Sequence, residues 1–292
     1  MADRPLVGRV GRISAEDVLG ALATVREGRV FDLDAGRTRG MPQAGVHPPY
    51  QIFTYRTPGG FQREGDLWDA GTDDVGMHFV TELMVSGMHI GTHLDALGHA
   101  GSGDTWFGGF RPDEEVGDHG LLRADADSIP PIITRGVLLD AAAHRGVEHL
   151  PAGTGLDASD LAEIADAQGV TIPRGGTVLV RTGAMVRWGD TPAFNAIATA
   201  GPTLDAARWL VEEHDIAVIG SDTATVEQVP SSTPGHPSPV HDYMLRESGV
   251  HLLELVWPEG LSEAGTYEFC FVCLPLRISG ATASMVRPIA LV

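Results

Sequence analysis

The segment His89-Ile-Gly-Thr-His93-Leu-Asp95-Ala-Leu-Gly-His99 places three histidines and an aspartate within eleven residues. Imidazole nitrogens and carboxylate oxygens form a donor set that suits zinc, manganese or iron, with positions left over for water and substrate. A divalent ion lowers the pKa of a bound water from ~15.7 toward ~7, so hydroxide becomes available near neutrality. A further histidine beside such a centre, with an ordinary pKa of ~6.5, can carry protons. In outline this is a hydrolytic centre. A single histidine in a strand or turn is more often a hydrogen-bonded structural residue, and His47, His119, His144, His149, His214 and His236 are read that way. The joint spacing of the cluster favours metal. Thr92 either orients a ligand or closes a turn.

Neither regular backbone form gathers the four groups. A continuous strand puts all four on one face but separates the outer two by roughly 33 Å. A continuous helix aligns His89 with His93 and turns Asp95 nearly opposite. Convergence therefore requires a bend, for which Gly91 supplies a permissive backbone. His93 and Asp95 then stay side by side on a short extended piece, and His99 returns over a turn at Gly98.

The elements that must position this segment read as alternating helices and strands. Ser14 caps a helix running to about Glu27, and 30–33 is a short strand. The proline- and glycine-rich stretch 37–60 is expected to be a long surface loop. Strands are expected at 136–140, 176–182 and 216–220. Helices are expected from Asp157 to a stop at Gly169, from Thr203 to Glu213, and from His241 to Gly249, with Glu254 in or after a strand. This alternation predicts an α/β protein with a substantial parallel or mixed sheet. In 101–110, Trp106, Phe107 and Phe110 are candidate substrate-binding residues forming an apolar pocket wall; core packing of the same aromatics is the alternative. Cys270 and Cys273 fall in an apolar, aromatic run, and a buried strand suits them better than a redox or zinc site.

The chain has 292 residues, 43% hydrophobic and 20% charged, and a single domain over 1–292 is expected. The net charge is −19, and all 20 basic residues are arginine. Such a surface repels a polyanion, so no nucleic-acid partner is expected. No apolar run reaches the length of a membrane span and the N-terminus lacks the core of a signal peptide, so a cytoplasmic protein is expected.

The 89–99 segment resembles the HxGTHxDxxxH signature of the metal-dependent cyclase superfamily, which includes bacterial kynurenine formamidases and isatin hydrolases. The resemblance extends to Phe31-Asp32-Leu33 with Gly40-Met41-Pro42, to Arg181-Thr182-Gly183, to 219–223, to His241 and Glu254 with Gly249-Val250 between them, and to Pro275-Leu276 with Gly280-Ala281. It implies a single-domain α/β fold with a barrel-like mixed sheet flanked by helices, in homodimers or higher oligomers. It also implies His89, His93 and Asp95 as metal ligands, His99 as the acid/base residue, and His241 with Glu254 at a second ion. The formamidases use zinc, two ions; the isatin hydrolases use one manganese. Segments around 45–75 and 142–165 are additions, and Leu97-Gly98 replaces a proline-containing turn, so the substrate is more open than the chemistry. The activity implied is hydrolysis of an amide, lactam, imide or related ester bond in a small cyclic or aromatic molecule. A cyclase or lyase working by proton transfer, or an idle metal- or ligand-binding relative, are the alternatives.

Overall fold

The computed structural model describes residues 6–64, 79–195 and 198–292. Its centre is a nine-stranded sheet. In chain order the strands are β1 (Val30–Asp32), β2 (His93–Asp95), β3 (Ile132–Asp140), β4 (Thr177–Arg181), β5 (Val218–Ser221), β6 (His251–Glu254), β7 (Glu268–Cys273), β8 (Ala283–Met285) and β9 (Ile289–Leu291). Across the sheet the order is β1-β9-β7-β3-β4-β5-β6-β2-β8. The strands β3, β4, β5 and β6 run parallel, and the outer pairings are antiparallel. This is the mixed, curled sheet expected from the sequence.

The parallel strands are continuous hydrophobic runs because both faces of the sheet are covered. Val137, Leu139, Val178, Val180, Ile219 and Leu252 pack into one core with the helices α2 (Ala158–Gln168) and α3 (Leu204–Glu212). The intervening Leu138, Leu179, Val218 and Leu253 pack into a second core with Leu94, Phe269 and Phe271. The helix α1 (Ala15–Leu22) lies against β3 and β7.

Helix ends follow the expected chemistry. Ser14 and Asp17 form a capping box on α1, Asp157 and Asp160 form one on α2, and Gly169 closes α2 in the left-handed conformation, where a side chain is strained. Several boundaries differ from expectation. The first helix ends at Leu22, five residues early, and the stretch 37–60 is not simply a loop. It contains the strand Gln51–Arg56, paired with Thr81–Val85 as a separate ribbon, and the first three residues of the helix Pro58–Glu64. Proline at a first helical turn starts that helix instead of breaking it. Residues 65–75 of the added segment lie outside the described residues. The helix begun at Pro239–His241 continues as a π-helix over Asp242–Ser248 before Gly249 turns it off. Both cysteines are buried on β7 and unpaired, and burial pushes the Cys273 thiol up to about 12. The structural reading of CxxC is therefore the one observed.

Candidate metal centre

The bend at Gly91 is real: its φ is +58°, and a β-carbon there would stand 2.8 Å from the carbonyl oxygen of Gly36. Glycine is required at this point on both counts. The chain then straightens into β2, so His93 and Asp95 face the same side. In the antiparallel pairing of β2 with β6, Glu254 lies opposite His93, which brings its carboxylate Oε2 to 3.1 Å from His93 Nε2. Gly98 contributes by packing: a β-carbon would stand 2.7 Å from Leu121 Cδ1, while the His99 amide donates to Ala96 O to close the turn. The Pro239–Ser248 helical segment supplies His241 over the same face, placing Nε2 3.2 Å from Glu254 Oε1.

The sequence-selected residues converge in two sets. Donor atoms of His89, Asp95 and His99 lie within 4.8 Å of one another, and so do donor atoms of Asp95, His241 and Glu254. Asp95 belongs to both. Its Oδ1 is 3.0 Å from His89 Nδ1 and 3.6 Å from His93 Nε2, and its Oδ2 is 4.0 Å from His99 Nε2. His93 therefore stands between the two carboxylates.

Each of three histidines is held by one ring nitrogen. His93 Nδ1 donates to Gly91 O at 2.8 Å, His89 Nε2 meets Thr282 Oγ1 at 2.8 Å, and His241 Nδ1 donates to the buried Glu227 carboxylate. The opposite nitrogen of each faces Asp95 or Glu254. Such outer partners fix the tautomer and orientation of a metal-binding imidazole. His99 is different: no hydrogen bond among the described residues anchors its ring, and its side chain is 26% exposed.

The electrostatics are those of a compact array of opposite charges. Burial works to raise the Asp95 carboxyl, but His99, His89 and His93 outweigh it and hold the group well below the usual carboxylate range. Glu254 is lowered by His241 and His93 against burial and the Asp95 charge. His241 is raised well above an ordinary imidazole because Glu227 and Glu254 overcome its burial. Burial takes His99 down to about 4, with His89 and His241 adding to the shift and Asp95 opposing it.

The array fits a divalent cation. His93 Nε2 and both Asp95 carboxylate oxygens are buried without a hydrogen-bond partner, since their close neighbours lack hydrogen-bond alignment. Unsatisfied buried polar atoms cost ~1–3 kcal/mol each, more for charged groups. A cation facing all three would satisfy them, and the nitrogen and oxygen donors suit zinc or manganese.

Comparison with known proteins places this geometry in a family. The sequence model of the Cyclase family matches residues 31–228, from β1 through β5 and on to Glu227 and its neighbour. The chain belongs to the cyclase family. Cyclase-like protein 2 of Oryza sativa subsp. japonica is 30% identical over 211 residues, 71% of this chain and 63% of its own length. The chain thus spans less than two thirds of that relative. The isatin hydrolase of Roseibium aggregatum is 28% identical over 229 residues, 75% of this chain and 78% of its own. Among solved structures, a novel cyclase superposes with a TM-score of 0.86 at 24% identity, covering 98% of this chain and 96% of the other. Isatin hydrolase A from Ralstonia solanacearum gives 0.68 at 24% identity, with 96% and 97% covered. These structural likenesses show a shared fold and bear out the resemblance read from the motif.

In this cyclase-family chain a cavity of about 530 Å³ is lined by sequence neighbours of the cluster, though by none of its own histidines or carboxylates. Its walls include Val46, next to His47, Ser238, three residues before His241, and Leu255, next to Glu254. Thr182, Ala184 and Thr223 line it from the carboxyl ends of the parallel strands, where open α/β sheets receive ligands. Asp222 holds that wall together: its carboxylate accepts from the Thr182 amide and hydroxyl and from the Gly183 and Ala184 amides at 2.7–2.8 Å.

The aromatic loop is placed elsewhere. Trp106, Phe107 and Phe110 are absent from the described lining of this cavity. Phe107 packs on the helix-covered core and against Gly249, and Phe110 lies under the Arg123 guanidinium, 4.7 Å from the ring centroid. The core-packing alternative therefore describes Phe107. Thr92 bridges the Ala35 amide and the Leu255 carbonyl, so it ties chain segments together behind the cluster. Two histidines given structural readings lie nearer the site than expected: His47 stacks on His89 at 4.9 Å, and His149 lines the cavity. His119, His144, His214 and His236 do not contact the cluster; His144 faces Glu163, His214 meets Trp209, and His236 meets Asp242. Glu227 and Thr282 were not legible as site residues, because a lone glutamate in VEQV and a threonine in SGATA carry no spacing signal. His251, which donates from Nδ1 to the Asp95 carbonyl at 2.7 Å, is another such support.

Proposed function

We propose that this chain is a metal-dependent hydrolase that opens an amide, lactam, imide or related ester bond in a small cyclic or aromatic molecule. The observation that carries the reading is the division among the histidines: His89, His93 and His241 are each anchored through one nitrogen with the other facing Asp95 or Glu254, while His99 is left unanchored at the edge. Anchored rings suit ligation, and a partly exposed ring suits proton traffic. The names of the isatin hydrolase relatives support the same reaction class.

His89, His93 and Asp95 would hold one zinc or manganese ion, and Asp95, His241 and Glu254 would hold a second where two are bound. A bound divalent ion supplies Lewis acidity toward a carbonyl and acidifies a water. His99, whose partial burial beside His89 and His241 favours the neutral ring, accepts the proton of the attacking water and returns it to the departing nitrogen or oxygen. The cavity holds the organic body of the substrate beside these groups, and its apolar walls exclude bulk water.

The test combines metal and residue removal on a panel of amides, lactams, imides and lactones. Chelated protein is expected to lose turnover and regain it with zinc or manganese, and products should carry the mass of one added water. A His93→Ala protein with wild-type turnover would overturn the reading. Products of unchanged mass would replace it with the cyclisation alternative.

A further inference from the structure

We infer that the cavity beside the metal cluster recognises ligands bearing a carboxylate, held by Arg187 with His149 as its positioning residue. The inference deepens the hydrolase reading, on which it rests only for calling that ligand a substrate.

The first observation is charge. The chain carries 39 acidic residues against 20 arginines, yet no aspartate or glutamate is among the described residues that line the cavity. Arg187, exposed at the cavity's edge, is the single formal charge there, and no carboxylate within ion-pair distance of it is found among the described residues. In a molecule of net charge −19, most guanidiniums have carboxylates close by. One at the edge of a mainly apolar cavity, without such a partner, is free to take an anionic ligand.

The second observation is how that guanidinium is held. Arg187 Nη2 lies 2.7 Å from His149 Nε2, and His149 Nδ1 is 3.1 Å from Leu150 O. A guanidinium has hydrogens to give and no lone pair to offer, so His149 Nε2 must accept from it, and Nδ1 then carries the proton given to Leu150 O. His149 is thereby a neutral ring that orients the cation without neutralising it. The Gly183 turn packs directly on the Glu148–His149 backbone, at a φ of +83° that favours glycine, and this fixes His149 against the wall.

The third observation is that the threonine hydroxyls of the wall are engaged. Thr182 Oγ1 donates to Asp222, Thr199 Oγ1 is bonded to Thr225 Oγ1 and to the Glu227 carbonyl, and Thr223 Oγ1 donates to Ser221. Apolar contact comes from Val46, Leu150, Phe194, Val229 and Leu255. The combination fits a ligand with an apolar, ring-sized body and one terminal carboxylate. The planar fork of arginine matches carboxylate geometry with two parallel hydrogen bonds.

The test is binding by calorimetry to the full-length, metal-loaded protein, with phenylacetate as probe and phenylacetamide as its neutral isostere. Wild-type protein is expected to bind phenylacetate at least about tenfold more tightly than phenylacetamide, and Arg187→Gln to abolish that preference while leaving phenylacetamide affinity unchanged. His149→Ala should weaken phenylacetate binding less than Arg187→Gln does. A preference that survives in Arg187→Gln means the carboxylate sits on the metal and overturns the proposal, as does equal binding of the two probes by the wild type. Because no turnover is read, failure of the hydrolase reading leaves this result interpretable. Likewise, a functional hydrolase with no carboxylate preference refutes only the present inference.

Discussion

Asp95 is a carboxylate buried with both oxygens lacking aligned hydrogen bonds, so its position is costly unless something else faces it. Stability and metal response should therefore both register at this residue. Asp95→Asn is expected to melt below the metal-free wild type, because the imidazoles that hold the carboxyl below its usual range stabilise its charge in the folded state. It should also lose the stabilisation gained on adding zinc or manganese, which for the wild type reaches ~2.7 kcal/mol at a free-ion concentration 100 times Kd. Thermal melts with and without metal check both halves; a variant that still shifts on metal addition contradicts the bridging position of Asp95. Glu227 makes a subtler prediction, since it touches no reacting group and acts through His241. It accepts from the Val240 and His241 amides as well as the imidazole, so Glu227→Gln retains an acceptor but loses the charge that orients the ring. Metal affinity measured by calorimetry should fall about 10- to 100-fold with melting of the metal-free protein nearly unchanged. A wild-type affinity in that variant would reduce Glu227 to a helix cap.

At the scale of elements, what positions the cluster is mostly local and strongly encoded. The α2 helix shows this: Asp157, Asp160 and Gly169 are side-chain solutions to the unpaired amides and carbonyls of helix ends. Asp157→Ala should cost ~0.5–2 kcal/mol at neutral pH, as cap removal generally does. Hydrogen bonds from Ser159 and then the Asp160 amide lower the Asp157 carboxyl, so its contribution is present above the ordinary carboxylate value of ~3.9 and is lost as pH falls through the lower folded value. Urea titrations of the two proteins should accordingly converge below about pH 4, and a constant difference across that range would exclude the carboxylate as the source. The same local logic made α2, α3, the buried strands and the Gly91 bend legible in the sequence. The motif residues were legible too, because four of them sit in one segment. What was not legible depends on pairing between distant segments. Glu254 meets His93 only through the register of β6 on β2, and Thr282, His149 and Arg187 reach the site by tertiary packing. The aromatic loop misled for the reverse reason: adjacency to the motif in sequence does not carry it to the cavity.

Across the whole molecule, the sheet buries both of its faces, but the ribbon of Gln51–Arg56 and Thr81–Val85 buries neither. Ile52, Phe53, Tyr55, Leu83, Met84 and Val85 are each about half or more exposed, and successive residues point to opposite faces. Two strands without a covered apolar face are marginally stable in water. Among the described residues both sides keep about half of their apolar side-chain surface exposed, and exposed apolar area of this kind marks association surfaces. The oligomer expected from the family resemblance would use it: a second copy supplies an identical ribbon and a closed twofold contact. Sedimentation should then report a dimer or larger assembly at micromolar concentration. The double substitution Phe53→Glu with Leu83→Glu should shift it toward monomer, because like charges across a buried apolar contact oppose closure. The core and the metal cluster lie in the main sheet and not in the ribbon, so the variant should keep the metal-induced rise in melting temperature. A wild type that sediments as a monomer, or a charged variant that stays assembled, would remove the ribbon from the interface and leave its apolar residues to be covered from within the chain.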